Sequence, residues 1–342
     1  MPLQPPIRIG VIGAGSFASR RHCPDIIEHP EAQLNALCRR DPEQLAKMAD
    51  AFCVEHTYAD YRELIDSGLV DAVLISSPHD LHYEHGKAAL EKGLHVLLEK
   101  PITTDPQEGR KLVALAKEKG LVLIVAQNPP YWNHCRHLRA QFRSGRLGEL
   151  ESAAINWVGN ALAVLGLEEL PANMPGVVIP TLYRASAEQN GGGFTMDGGT
   201  HLLCELLWCT ERKVVEVSAQ MDNADFDVRC SLAMRLDNGA LVSLNQVADS
   251  QVRAKRQHNI YYGSKGTAIV RGFPFTIEIE ADGEVERLSE GELPDAPTPV
   301  GDFVDCVLGR SAGEISGDTA VHVVAVLRAA QEAARRNQTV LV

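Results

Sequence analysis

Between Ile7 and Ala126 the chain alternates short apolar runs with longer stretches in which apolar residues recur at helical spacing. The runs Ile7–Ile12, Ala32–Cys38, Ala72–Ser76, Leu94–Leu98 and Leu121–Ala126 predict buried strands. The intervening stretches predict helices over Ser16–His29, Pro42–Phe52, Asp60–Ser67, His82–Lys92 and Asp105–Gly120, with Pro30, Gly68, Gly93 and Gly120 as stops. Such alternation predicts a parallel sheet joined by right-handed crossovers. After Asn128 the pattern changes. A helix over Tyr131–Ser144 and a strand over Leu150–Val158 precede Gly159–Gly191, which has little periodicity and contains Pro171, Pro175 and Pro180. Strand-like runs then follow at Val214–Gln220, Ser231–Leu236, Ala240–Val247, Asn259–Tyr262, Thr267–Val270, Phe275–Glu280 and Val285–Leu288. Asp237-Asn238-Gly239 and Asp282-Gly283 give hairpin signals. A helix over Val321–Arg336 and a strand-like Thr339–Val342 complete the chain. The reading is an α/β domain over 1–126 and an α+β domain over 127–342 whose open sheet is mainly antiparallel.

Composition narrows the classes. At 342 residues the chain is long enough for two cores, and 45% hydrophobic with 23% charged residues is ordinary for a globular enzyme. A net charge of −12 speaks against nucleic acid as a partner. The eight cysteines form no C-x-x-C pair, so reduced, mostly buried thiols are expected rather than a disulfide framework. No signal-peptide pattern and no apolar stretch of ~20 residues is present, so a cytoplasmic protein without a membrane segment is expected.

Two motifs carry the chemistry. Gly13, Gly15 and Ala18 give G-x-G-x-x-A between a predicted strand and a predicted helix. Gly13 permits the tight turn, Gly15 admits a pyrophosphate, Ala18 lets helix and strand pack, and the helix N-terminus faces the phosphates. Past the second strand, where NAD enzymes place an acid for the ribose, stand Arg39 and Arg40. Their guanidinium groups suit the 2′-phosphate of NADP, which is the favoured cofactor. In the alternative, both arginines sit in solvent, Asp41 takes the ribose and the cofactor is NAD. The second motif, Glu99-Lys100-Pro101, puts an ammonium group at the carboxyl end of a predicted strand.

With these residues in hand, the chain resembles the glucose–fructose oxidoreductase / inositol dehydrogenase / rhizopine-catabolism (Gfo/Idh/MocA) family. The resemblance rests on the glycine turn, on Ile75-Ser76-Ser77-Pro78 followed by His82, and on Ala88 to Pro101 with its Glu99-Lys100-Pro101 end. It rests further on Ser144–Glu149, on Gly191-Gly192-Gly193 before Asp197-Gly198-Gly199-Thr200-His201, and on Asp302–Asp305. The resemblance implies a Rossmann domain followed by the α+β domain. It also implies hydride exchange between a nicotinamide and a secondary hydroxyl or ketone of a sugar, cyclitol or related polyol. Catalytic roles carry over onto Lys100, Asp197 and His201: a base near neutrality on His201, charge stabilisation from Lys100, and orientation from Asp197. Cofactor contacts are expected from Gly13, Gly15, Ser16, Phe17, Ala18, Arg39, Arg40, Ser76, Ser77, Pro78, His82, Glu99, Lys100 and Asn128. Substrate contacts are expected from Lys100, Tyr131, Trp132, Asp197 and His201.

The chain departs from the family where Asn128-Pro129-Pro130-Tyr131-Trp132 replaces an Arg-rich segment. Tyr131 and Trp132 stack on a sugar ring in one reading and are domain-interface core in the other. His201, Cys204 and Cys209 raise zinc, but Cys209 lies about 140° from Cys204 around a helix, so no metal is expected. His79 and His85 are expected in solvent, and Arg136, His137 and Arg139 on a solvated or ion-paired face. Gly159–Gly191 is expected to cover or shape the substrate pocket. Apolar residues on both alternations of Ala240–Val247 (Leu241, Val242, Leu244, Val247) suggest a covered sheet and a homodimer or homotetramer. Two further readings compete: a redox-neutral, glycoside-cleaving enzyme with a retained nucleotide, and a non-catalytic nucleotide sensor.

Overall fold

The computed structural model describes residues 3–342. Two compact units emerge, and they are not separated by a single cut after Ala126. The first comprises Met1–Ala126, Leu170–Asn190 and Pro297–Val321; the second comprises Gln127–Glu169, Gly191–Ala296 and His322–Val342. Two excursions of the later chain thus return to the first unit. The reason is apolar: Val178, Val300, Phe303 and Val304 share one buried core with Ile9, Leu37 and Leu74.

In the first unit the strands are β1 (Ile7–Ile12), β2 (Ala32–Cys38), β3 (His56–Tyr58), β4 (Ala72–Ile75), β5 (His95–Glu99) and β6 (Leu123–Ala126). They pair in parallel in the order β3-β2-β1-β4-β5-β6. The order reverses between β1 and β4, and ligands bind such sheets outside the carboxyl ends of the strands at that point. The helices are α1 (Cys23–Glu28), α2 (Pro42–Phe52), α3 (Tyr61–Asp66), α4 (His82–Lys92) and α5 (Pro106–Lys119). Asp41, Asp60 and Asp105 cap α2, α3 and α5 through backbone N–H groups, while Cys53, Gly93 and Gly120 end α2, α4 and α5 in left-handed geometry. The helix expected over Ser16–His29 is instead a π-helical turn, Ala18–His22, running into α1. Pro24 in the first turn of α1 lacks the amide hydrogen that a continuous helix would use. Strand β3 carried no apolar alternation and was not expected.

In the second unit α6 (Asn133–Arg143) precedes β7 (Leu150–Val158). After the short α7 (Ala187–Asn190, in the first unit) come α8 (Phe194–Asp197) and α9 (Gly199–Thr210). The strands are β8 (Val214–Met221), β9 (Arg229–Leu236), β10 (Leu241–Val247), β11 (Arg256–Gly263), β12 (Gly266–Gly272), β13 (Thr276–Ala281) and β14 (Glu284–Ser289). Helix α10 (Pro299–Val307), in the first unit, and α11 (Gly317–Arg336), which passes from the first unit into the second after Val321, precede β15 (Val340–Leu341). The nine strands order as β14-β13-β12-β11-β7-β10-β9-β8-β15; only β10 and β7 pair in parallel. Helix α9 is buried at every residue except His201, as its apolar sequence dictates.

The open face of this sheet is not the apolar surface expected. Alternation sends Val242 and Leu244 inward and leaves Leu241 outward with Ser243 and Asn245. There Ser231 donates to Asn245, whose Nδ2 donates to Asn156, whose Nδ2 donates to the His258 carbonyl. A polar ladder therefore crosses β9, β10, β7 and β11.

Candidate functional site

The glycine turn after β1 has no room for side chains. Gly13 has φ +82°, and a Cβ there would lie 2.5 Å from the Ser77 nitrogen. The turn therefore packs directly on the Ser76–Ser77 backbone at the end of β4. Gly15 leaves space for Arg39, whose Nη1 donates to the Ala14 carbonyl at 3.1 Å. Gly13, Gly15, Arg39, Arg40, Ser76, Ser77 and Pro78 line one cavity of about 560 Å³. This brings together the glycine, arginine and Ser-Ser-Pro groups read from the sequence. Ser16, Phe17, Ala18, His82, Glu99 and Lys100 are not in its wall; Ala18 is fully buried beneath the turn.

Electrostatics within the cavity favour an anion at Arg39. Its guanidinium is half buried, and burial lowers its pKa, with Asp41 opposing. Its Nε is buried without a hydrogen-bond partner among the described residues. Asp41 Oδ1 accepts from the Glu43 and Gln44 amides at the start of α2, and Asp60 Oδ1 accepts from the Arg62 amide. Two of the three carboxylates in the wall, Asp41 and Asp60, are thus engaged as helix caps, and the third, Glu84, accepts from the Tyr61 hydroxyl and from Arg62 Nη2. The far wall was missed by sequence reading: Tyr61 lies 4.2 Å from the His85 ring, with Arg62 stacked on it at 4.4 Å. The Asp60 cap, which puts these residues in the first turn of α3, was the available signal.

Thr181, Tyr183 and Gln189 complete the wall. They belong to Leu170–Asn190, which is latched to the glycine turn: Ser16 Oγ donates to the Pro175 carbonyl and the Val177 amide donates to Ser19 Oγ. His79 is buried here, bonded to the Asn190 carbonyl and the Tyr183 hydroxyl at 3.0 Å each. This half of the long segment therefore lines the cavity at the glycine turn. His79 and His85, expected in solvent, are both buried. His85 hydrogen-bonds Ser77 Oγ, and burial pushes its pKa down to about 4.

Lys100 follows β5, and its main chain is clamped on both sides. Glu99 Oε2 accepts from the Lys100 amide at 3.1 Å, and Glu99 Oε1 meets His22 Nε2 at 2.6 Å. Burial alone would raise the Glu99 pKa, but the His22 bond and the charges of His22 and Lys100 more than offset it and hold it below the usual value. His82 Nδ1 meets the Pro101 carbonyl at 2.7 Å and its Nε2 the Ser77 carbonyl at 3.0 Å. Burial lowers the His82 pKa against the pull of both carbonyls. His82, expected as a cofactor contact, is thus a fully buried brace. The Lys100–Pro101 bond is cis.

In the second unit Asp197 ends α8 and His201 lies in the first turn of α9. The two share a stretch in which Gly193 permits contact with the Asp227 backbone, where a Cβ would sit 2.1 Å from its carbonyl oxygen. Trp132 precedes α6 and its ring lies 5.9 Å from that of His201. Tyr131 is buried, and the Asn128 carbonyl accepts from its amide. Trp132 also meets the rings of His134 at 5.5 Å and Phe275 at 5.6 Å. His134 stacks on Phe275 at 3.8 Å, and burial pushes its pKa down to about 3. Phe275, immediately before β13, was read only as the start of a strand-like run; nothing in its local pattern links it to His201. Arg139 stacks over Trp208 at 4.1 Å and pairs with Glu211, so its face of α6 is packed and ion-paired.

Metal-ligand atoms do converge, at a place the sequence did not suggest. His134, Cys135 and Glu205 bring theirs within 4.8 Å of one another. Glu205 already accepts from Tyr261 at 2.6 Å, Asn259 at 2.7 Å and Gln257 at 3.1 Å, and burial holds the Cys135 thiol well above its usual pKa. A carboxyl saturated by neutral donors beside a protonated thiol is a buried polar hub tying α9 to β11. Cys204 and Cys209 are buried core.

Two family models match successive parts of the chain. Residues 7–127 match the model "Oxidoreductase family, NAD-binding Rossmann fold", and residues 135–269 match the "GFO/IDH/MocA C-terminal domain". The chain is 29% identical over 334 residues to a dTDP-3,4-didehydro-2,6-dideoxy-alpha-D-glucose 3-reductase of Saccharopolyspora spinosa, covering 95% of this chain and 92% of the relative. It is 26% identical over 310 residues to a D-glucoside 3-dehydrogenase of Escherichia coli (strain K12), covering 85% and 84%. A levoglucosan dehydrogenase in complex with NADH has the same fold, with a TM-score of 0.85 over 98% of this chain and 99% of that one, at 19% identity.

Proposed function

Because the chain belongs to the Gfo/Idh/MocA family of NAD-binding sugar oxidoreductases, we propose that it moves a hydride between NADP and a secondary hydroxyl or ketone of a sugar, cyclitol or related polyol. The observation that carries the substrate class is the indole of Trp132 against the imidazole of His201. An aromatic face beside a titratable base suits a ring that presents C–H groups on one side and hydroxyls at its edge. Nicotinamide, when bound, supplies or accepts the hydride. His201 takes or returns the hydroxyl proton, Lys100 stabilises the oxygen as charge develops, and Asp197 orients the hydroxyls or the imidazole. Lys100→Ala and His201→Ala should each lower kcat by ~10²-fold or more. The double variant should lose far less than the product of the two, because the groups act on one transition state. Folded, nucleotide-bound His201→Ala protein with near-normal turnover would overturn the assignment.

The choice of NADP rests on Arg39, half buried with an unpartnered Nε, and on Asp41 being engaged as a helix cap. Arg39→Asp should weaken NADP at least tenfold and spare NAD; wild-type protein that binds NAD tenfold more tightly than NADP would reverse the choice. The redox-neutral reading is favoured by one feature, the Leu170–Asn190 latch on the nucleotide cavity, which suits a nucleotide kept between turnovers. Net consumption of added cofactor separates the two. A homodimer or homotetramer through the open sheet face is the proposed assembly, supported by exposed Leu241 and Tyr262 beside the polar ladder. Light scattering at micromolar concentration tests it, and a monomer would end it.

A further inference from the structure

The rings beside His201 do not stop at Trp132. Phe275 lies 5.6 Å from Trp132, Phe273 lies 4.4 Å from Phe275, and the Lys255 ammonium lies 5.6 Å from the centre of the Phe273 ring. Phe275 is buried, whereas Phe273 is 46% exposed. The track therefore runs from the imidazole to an open aromatic face. Register explains its far end. Gln257 pairs with Gly272 across β11 and β12, so Arg256, the first residue of β11, and Lys255 just before it lie at the strand end from which Phe273 follows Gly272. Arg253 is close by in sequence and highly exposed, with Glu168 at 3.7 Å; Arg256 donates to Ser250 Oγ at 2.9 Å. Three cations within four residues are notable in a chain of net charge −12.

We infer that Phe273, Lys255 and the neighbouring Arg253 and Arg256 form a second subsite, which takes the nucleoside diphosphate of a sugar nucleotide whose sugar lies at Trp132 and His201. The inference rests on the sugar-oxidoreductase reading and specifies its substrate class. An exposed phenyl ring stacks a planar base, as aromatic platforms do for single nucleotides. Lys255 supplies charge beside it, and flanking guanidinium groups bind phosphate oxygens in pairs. Unsubstituted sugars have nothing to place on either feature. The 29% identical relative is named for a dTDP-sugar, which agrees with this class.

The test uses the intact protein with NADP saturating, so that the cofactor cavity is filled. The probes are dTDP, inorganic pyrophosphate and a neutral p-nitrophenyl glucoside, read by calorimetry and by quenching of tryptophan fluorescence. Binding of dTDP, weakened tenfold or more by Phe273→Ala and by Lys255→Glu with NADP affinity unchanged, is the expected result. Both side chains are exposed, so neither change should prevent folding. Absence of dTDP binding overturns the subsite. Pyrophosphate binding as tightly as dTDP and insensitive to Phe273→Ala overturns the base platform. Preference for the neutral glucoside, insensitive to Lys255→Glu, overturns the anionic class. If dTDP fails to bind while simple sugars still drive cofactor turnover, only the subsite falls. If dTDP binds yet no sugar or sugar nucleotide turns over, the redox reading itself falls.

Discussion

The main chain at Lys100 and the imidazole of His201 sit in different surroundings. The backbone at Lys100 is fixed by directional bonds: Glu99 accepts its amide hydrogen, His22 anchors Glu99, and His82 holds the next carbonyl. His201 stands on a helix that is otherwise buried, and its imidazole lies beside the Trp132 ring, with Phe275 and His134 beyond that ring. A polar clamp fixes position and tolerates little change, because each lost partner leaves a buried group unsatisfied. Stacked rings hold by contact area, which declines gradually as a side chain is trimmed.

The sharpest way to break this contrast is to cut each support once. Glu99→Ala removes the acceptor for the Lys100 amide and leaves His22 without its carboxylate. A displacement on the order of 1 Å at a reacting group costs ~10²-fold in rate, so kcat should fall by about that factor. Trp132→Ala should instead raise the sugar KM by ~10-fold while kcat falls less, since the ring contacts ground and transition states alike. Steady-state kinetics with NADP saturating measures both. The same loss of kcat in the two variants would mean that both supports act by positioning.

The contrast also explains what the chain disclosed in advance. Clamped positions sit in short contiguous motifs, because a turn, a strand end and a cap are local solutions to local hydrogen-bond problems. The places of Gly13, Arg39, Ser77 and Lys100 at turns and strand ends were therefore legible, as was the parallel pairing of the strands. The aromatic setting of His201 draws on Trp132, His134 and Phe275, which are far apart in sequence, and no local period connects them. The place of Leu170–Asn190 was not legible for a related reason. Its place follows from single contacts, such as Tyr183 to His79 and Val177 to Ser19, made by a segment without periodicity. The open face of the second sheet was misjudged because Leu241 and Val247 were counted without the Ser243 and Asn245 that share their side.

A second, smaller break addresses that segment. Tyr183→Ala removes part of the cavity wall and one hydrogen-bond partner of His79. Nucleotide release should quicken by up to ~10-fold, about 1.4 kcal/mol, with the sugar KM nearly unchanged. Stopped-flow displacement of bound NADPH measures it. A change in the sugar KM alone would assign the segment to the substrate pocket.

The smallest expected effect concerns stability against pH, and it again differs between the two units. His85 in the first unit and His134 in the second are buried, with pKa values pushed down to about 4 and about 3. Between those values and the ordinary histidine value near 6.5, the unfolded chain binds protons that the folded chain does not. Stability therefore falls as pH drops below about 6.5, by up to about 1.4 kcal/mol per pH unit for each histidine. The second unit carries an opposing group. Asp227, which accepts from the Thr195 amide and hydroxyl, is raised to about 6 by burial. Between about 4 and 6 its folded form holds a proton that the unfolded chain has lost, so it gains stability as pH falls. Thermal melting of the wild type should accordingly decline only gently from pH 6.5 to 4. His134→Phe keeps the stack on Phe275 and removes the titrating group, so its melting temperature should fall less over that range. Asp227→Asn removes the compensation and should fall more steeply. A His134→Phe profile parallel to the wild type would show that His134 does not carry the acid sensitivity.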